Sequence, residues 1–171
     1  EIAPVKGDLK GVEKFLGKEI EAAKNSRGIK SVKLYRKEGT GELRLVFKVK
    51  NELSDIPVGV GRWTEGVMRI DNQKAETLGA IIGEQKAMTS GAMQEDGSFR
   101  LRVYLTGTTA YIDVILSEKD GKIVLKGELW GMNGTRFGVC FRMRRNNKRI
   151  HFRKNDNSRT IFSRIGLGIK T

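Results

Sequence analysis

From Ser98 onward, turn signals recur at short, regular intervals: Thr106 to Thr109, Asp120-Gly121, Asn133-Gly134, Asn146-Asn147 and Asn155 to Ser158. Asn-Gly and Asp-Gly pairs adopt the positive φ angles that tight hairpins require, and the segments between them alternate apolar with polar residues. This spacing leaves no room for helices. It predicts an antiparallel meander of about six strands, and the turns fix its register.

Centring the first turn pairs Val103 with Ile112. The Asp-Gly turn pairs Ile112 with Leu129 and Leu116 with Leu125. A three-residue loop at Asn133-Gly134 sets Leu129 against Val139 and Leu125 against Met143, and the Asn-Asn turn sets Phe141 against Phe152 and Met143 against Ile150. All these pairs are apolar. A slip of one residue would expose the whole set, so the agreement supports the register.

Upstream, Ile29 to Arg36 and Glu42 to Lys50 read as a hairpin around Gly39-Thr40-Gly41, and Trp63 to Ile70 as a further strand. Leu9, Val12, Phe15, Leu16, Ile20 and Ala23 recur at helical spacing after Asp8, a residue suited to an N-cap, and predict a helix over 9–25. Ala75, Leu78, Ile81 and Ile82 predict a second over 72–88, weakened by Gly79 and Gly83. Val58-Gly59-Val60-Gly61 reads as a loop, because it lacks the lysine and following helix of a phosphate cradle. The expected fold class is therefore α+β: a largely antiparallel sheet with one or two packed helices, over a single domain spanning 1–171. The alternative is a closed up-and-down β-barrel.

Charge is distributed unevenly over this framework. Lys and Arg number 33 against 20 Asp and Glu, a formal net charge of +13. Residues 134–171 hold eleven of those cations and the single acid Asp156, which gives +10 in the basic C-terminal strands. Such a concentration favours a polyanion, since its field steers anionic partners and counterion release rewards their binding. No apolar run approaches the ~20 residues of a helical membrane span. Cys140 is the only cysteine, which excludes an internal disulfide and a cysteine-based zinc cluster and tilts the expected compartment toward an intracellular one. A chain that starts at Glu1 reads as a processed product or an excised domain.

The register also states what shares the polar face. One row reads Tyr104, Tyr111, Trp130; the next Arg102, Asp113, Glu128, Cys140, Arg153; the third Arg100, Ile115, Lys126, Arg142, His151. Arg144, Arg149 and Arg164 lie beyond them. On this reading Arg142, Arg144, Arg149, Arg153, Arg164 and Lys126 contact phosphates, and Tyr104, Tyr111 and Trp130 either stack bases or form ordinary cross-strand aromatic contacts.

Asp113 opposite Glu128 is unusual, because like charges directly across a strand pair repel unless something compensates. Arg102 and Lys126 supply one compensation; a divalent cation or a shared proton would be others. No third carboxylate falls beside the pair, so a nuclease-type metal site is under-supplied and no metal or cofactor is expected. His151, the only histidine, sits among arginines and with Glu128 and Asp113 forms the candidate catalytic group of a metal-independent ribonuclease, such as a small toxin domain. The favoured function is binding of nucleic acid, RNA or single-stranded DNA, by a basic sheet face. The alternatives are that nuclease and a module docking an acidic protein or another anionic surface.

Overall fold

The computed structural model describes residues 2–25, 28–71, 82–108, 110–131, 134 and 136–142. Ten strands run in chain order: β1 (Glu19–Glu21), β2 (Ile29–Arg36), β3 (Leu43–Val49), β4 (Glu52–Pro57), β5 (Thr64–Asp71), β6 (Ile82–Met93), β7 (Phe99–Leu105), β8 (Ala110–Lys119), β9 (Lys122–Gly131) and β10 (Arg136–Arg142). They form a four-stranded sheet, β1-β2-β3-β4, and a six-stranded sheet, β10-β9-β8-β7-β6-β5, in which every neighbouring pair is antiparallel and consecutive in sequence. Strict alternation makes the core: Leu43, Leu45, Phe47 and Val49 of β3 and Phe99, Leu101, Val103 and Leu105 of β7 are all buried in one cluster that draws on both sheets.

Among the described residues the sheets do not close into a barrel, because no ladder joins β4 to β5. A side chain takes the ladder's place. The Ser54 hydroxyl accepts the Arg69 N–H at 2.8 Å and lies 3.3 Å from the Arg69 carbonyl, to which it donates. Pro57 ends β4 without an N–H to offer, and the predicted loop of 58–61 crosses to β6, where the Gly91 N–H reaches the Gly59 carbonyl at 2.8 Å.

The packed helices are not found among the described residues. In place of a helix over 9–25 there is a single 3-10 turn, Val12–Phe15, followed by β1. Gly11 (φ 85°) and Gly17 (φ 76°) bracket the turn in left-handed conformations, so helical backbone cannot continue through either. Val12 and Phe15 still enter the core, and Ile20 does so as the inward residue of a strand. Of the helix expected over 72–88, residues 72–81 lie outside the described residues and the remainder is β6, its polar groups drawn into ladders with β5 and β7.

The C-terminal meander follows the predicted register through β7, β8 and β9: Val103 pairs with Ile112, Ile112 with Leu129 and Leu116 with Leu125. The β9–β10 register differs. Bulges between Arg136 and Gly138 and between Val139 and Phe141 set Gly138, not Val139, against Leu129, and Val139, not Cys140, against Glu128. By Arg142 the two shifts have accumulated and the expected Lys126–Arg142 pairing is recovered. The expected strands after Arg142, with the Leu125–Met143, Phe141–Phe152 and Met143–Ile150 pairings, lie outside the described residues. Among the described residues no helix is long and apolar enough to cross a membrane.

Candidate polyanion-binding face

On the six-stranded sheet the residues pointing away from the core form three rows. The first runs Met88, Tyr104, Tyr111, Trp130, Arg136; the second Ser90, Arg102, Asp113, Glu128; the third Ala92, Arg100, Ile115, Lys126 and, by register, Arg142. The predicted aromatic, carboxylate and basic rows are thus neighbours across the strands.

Tyr111 is buried rather than presented as a platform. The Arg102 guanidinium lies 4.3 Å from its ring centroid, and Trp130 stacks beside it at 6.5 Å with an interplanar angle of 5°. Half-exposed Tyr104 and Trp130 present the remaining aromatic surface of the row.

The two carboxylates are both buried, with side-chain exposures of 1% for Asp113 and 8% for Glu128. Each has its own counterions. Arg102 donates from Nε and Nη2 to the two oxygens of Asp113 at 2.8 and 2.9 Å, the bidentate geometry that a guanidinium and a carboxylate share. Glu128 Oε1 is met by Lys126 Nζ and, at 2.9 Å, by Arg136 Nη2. Burial alone would raise the Glu128 carboxyl, but the hydrogen bond and charge of Lys126, with the charges of Arg136 and Arg100, hold it below its ordinary range. Burial likewise pulls Arg102 down, and Asp113 more than offsets it. Glu128, so held in its charged form, is a poor general acid. Among the described residues no group of three or more His, Cys, Asp or Glu could hold a metal ion.

An N-terminal strap covers the other end of the second row. Arg102 Nη1 donates to the Ala3 carbonyl at 3.0 Å, and the Val5 N–H donates to Ser90 Oγ at 3.0 Å. Sequence reasoning missed this strap, whose residues have no periodicity, and it missed Arg136, which reaches Glu128 only because β10 bulges. Arg100 Nε and Trp130 Nε1 are buried on this face with no hydrogen-bond partner among the described residues. His151, Arg144, Arg149, Arg153 and Arg164 lie outside the described residues, and Arg142 is placed by backbone register alone.

No protein-family model matches the chain, and neither the curated proteins nor the solved structures yield a similar one.

Proposed function

We propose that the protein binds nucleic acid, RNA or single-stranded DNA, through the β9–β10 side of the six-stranded sheet and the basic chain that continues from it. The observation that carries this reading is the imbalance on that face. Both of its carboxylates are already taken by Arg102, Lys126 and Arg136, and the sequence from 134 to 171, Arg136 included, carries ten units of net positive charge. A surface with surplus cations is complementary to phosphate oxygens, which only accept. Half-exposed Trp130 and Tyr104 beside it suit unpaired bases, each stacked base contributing roughly 1–3 kcal/mol. Single strands are favoured over duplex because no recognition helix is present among the described residues.

The test is fluorescence anisotropy with labelled single-stranded RNA and DNA over a salt series. If about five phosphates are neutralised, log K falls against log salt with a slope near −3.5, at roughly −0.7 per phosphate. Joint charge reversal of Arg142, Arg144 and Arg149 should weaken binding to every sequence. Affinity unchanged by that reversal would overturn the reading. Cleavage of the RNA in the presence of chelator would replace it with the nuclease built on His151, and tight binding to an acidic protein with only weak, length-independent oligonucleotide binding would replace it with the docking module.

A further inference from the structure

A cleft of about 520 Å³ lies at one end of the other sheet, where β1, the start of β2 and the β3–β4 turn meet. Lys24, Lys30, Lys48 and Lys50 line it together with Glu19 and Glu21. Three local departures from regular structure gather these lysines.

The first is a bulge. Ile29 pairs with Val49 and Ser31 with Lys48, so Lys30 is an extra residue on β2. Val32 and Leu34 point into the core, and strict alternation would send Lys30 inward with them. The bulge instead keeps Ile29 in the core and puts Lys30 on the exposed side with Lys48. The second is Lys50, whose φ of 52° is left-handed, a conformation that side chains with a Cβ disfavour. Its N–H is held by the Gly28 carbonyl at 2.7 Å, and a Cβ on Gly28 would come within 2.9 Å of Lys50 Cγ, so the glycine makes room for the lysine stem. The third is Asn25, whose amide nitrogen donates to the carbonyls of Ala23 and Ile29 at 2.8 Å each while its oxygen accepts the Ile29 N–H at 3.1 Å, fastening the rim of the cleft.

Charge compensation is also incomplete here. Glu19 accepts the Ser31 hydroxyl at 2.6 Å, and Lys24, Lys30 and Lys48 form no ion pair among the described residues. Lys24, Lys30 and Lys48, like charges gathered beside Lys50, raise the local potential that a compact multivalent anion relieves. Ammonium groups act as point charges toward phosphoryl oxygens, and the volume lies within the range of small-molecule sites.

We propose that this cleft binds a small oligophosphate, with Lys30, Lys48, Lys24 and Lys50 as its cationic ligands. The site lies on the opposite sheet from the nucleic-acid face and does not depend on that reading. Isothermal titration of the full chain with inorganic pyrophosphate at constant ionic strength tests it. The expected result is saturable binding of one pyrophosphate per chain, weakened at least tenfold in the Lys30→Ala/Lys48→Ala double variant and several-fold in Lys24→Gln, but within twofold of the parent in Lys37→Ala, at an exposed lysine between β2 and β3. All the cleft substitutions are at exposed positions, so unfolding midpoints should be unchanged, and backbone amide shifts at Gly28 and Lys50 on titration give a second readout. Absence of saturable binding at millimolar pyrophosphate, or equal affinity in the parent and both cleft variants, would overturn the proposal.

Discussion

Replacing Arg102 by methionine strips both oxygens of Asp113 of their donors while the carboxylate stays buried, with 1% of its side chain exposed. Breaking a buried ion pair from one side costs about 3–5 kcal/mol, because the remaining charge is left uncompensated in a poorly solvating interior. The variant also gives up the hydrogen bond to the Ala3 carbonyl and the guanidinium over Tyr111, each worth at most about 1 kcal/mol. Asp113→Asn should be milder, about 1–3 kcal/mol, because Arg102 keeps an acceptor, the Ala3 carbonyl, the Tyr111 ring and 15% exposure to water. Arg102→Met/Asp113→Leu removes both charges together and should lie within about 1 kcal/mol of the parent, as apolar replacements of buried pairs commonly do. Denaturant unfolding followed by tryptophan fluorescence measures this cycle, with an expected coupling of at least ~2 kcal/mol. In melting experiments Arg102→Met alone should fall by roughly 6–20 °C, at about 2–4 °C per kcal/mol for a chain of this length. If Arg102→Met costs less than about 1 kcal/mol, or if the double variant is as unstable as the two single costs added, Asp113 is not held by this pair.

Glu128, held below its ordinary 4.5, contributes stability that is present above that value and lost as pH falls through its lower folded one; Glu128→Gln should flatten this part of the acid limb of a melting-temperature profile, and an unaltered limb would contradict the assignment. On the four-stranded sheet the Tyr35 hydroxyl donates to Asp55 at 2.6 Å, and chiefly this bond pushes the phenol above its ordinary 10.0, so Asp55→Asn should bring one of the three tyrosine transitions to lower pH in an ultraviolet titration. Gly91 lies where a Cβ would stand 2.8 Å from the Phe99 ring and 2.9 Å from Val58, so Gly91→Ala should destabilise by about 1–3 kcal/mol in urea unfolding through overpacking, whereas Gly39→Ala, with nothing near its Cβ position, should show strain from its positive φ alone.

Where turn chemistry and two-residue periodicity spoke together, the fold was legible. The turn at Thr106 to Thr109 fixed β7 against β8 and Asp120-Gly121 fixed β8 against β9, and the two together set the succession from Tyr104 to Trp130 and from Arg102 to Glu128. Legibility ended where a local exception was decisive. Val12, Phe15 and Ile20 sit at helical spacing, yet the glycines at 11 and 17 admit left-handed backbone and divide the segment into a turn and a strand. Periodicity reports burial before it reports conformation: the same residues reached the core by another path. Bulges have the same effect within strands. One on β2 brings Lys30 out, and two on β10 move Cys140 away from Glu128 and bring Arg136 to it; no residue type announces either.

The opposed carboxylates were legible as an anomaly, and their resolution bears on function. Across the sheet the charges read Arg102, Asp113, Glu128 and then Lys126 with Arg136, so that each acid turns to a cation on its own side rather than sharing one between them. A ladder of plus, minus, minus, plus lets two like charges occupy adjacent positions in a buried row, because each is paired more closely than it is repelled. The arrangement buries the acids and leaves part of their counterions in water, since Lys126 and Arg136 remain 38% and 45% exposed while Glu128, which both of them pair, is 8% exposed. The acids of this outward row are buried among their partners, while Lys126 and Arg136 in the flanking rows reach the surface. A sheet with equal numbers of both signs could thereby present one sign to solvent, and this one begins with five cations, Arg100, Arg102, Lys126, Arg136 and Arg142, against two acids along β7 to β10 in its second and third rows and at the Arg136 end of its first.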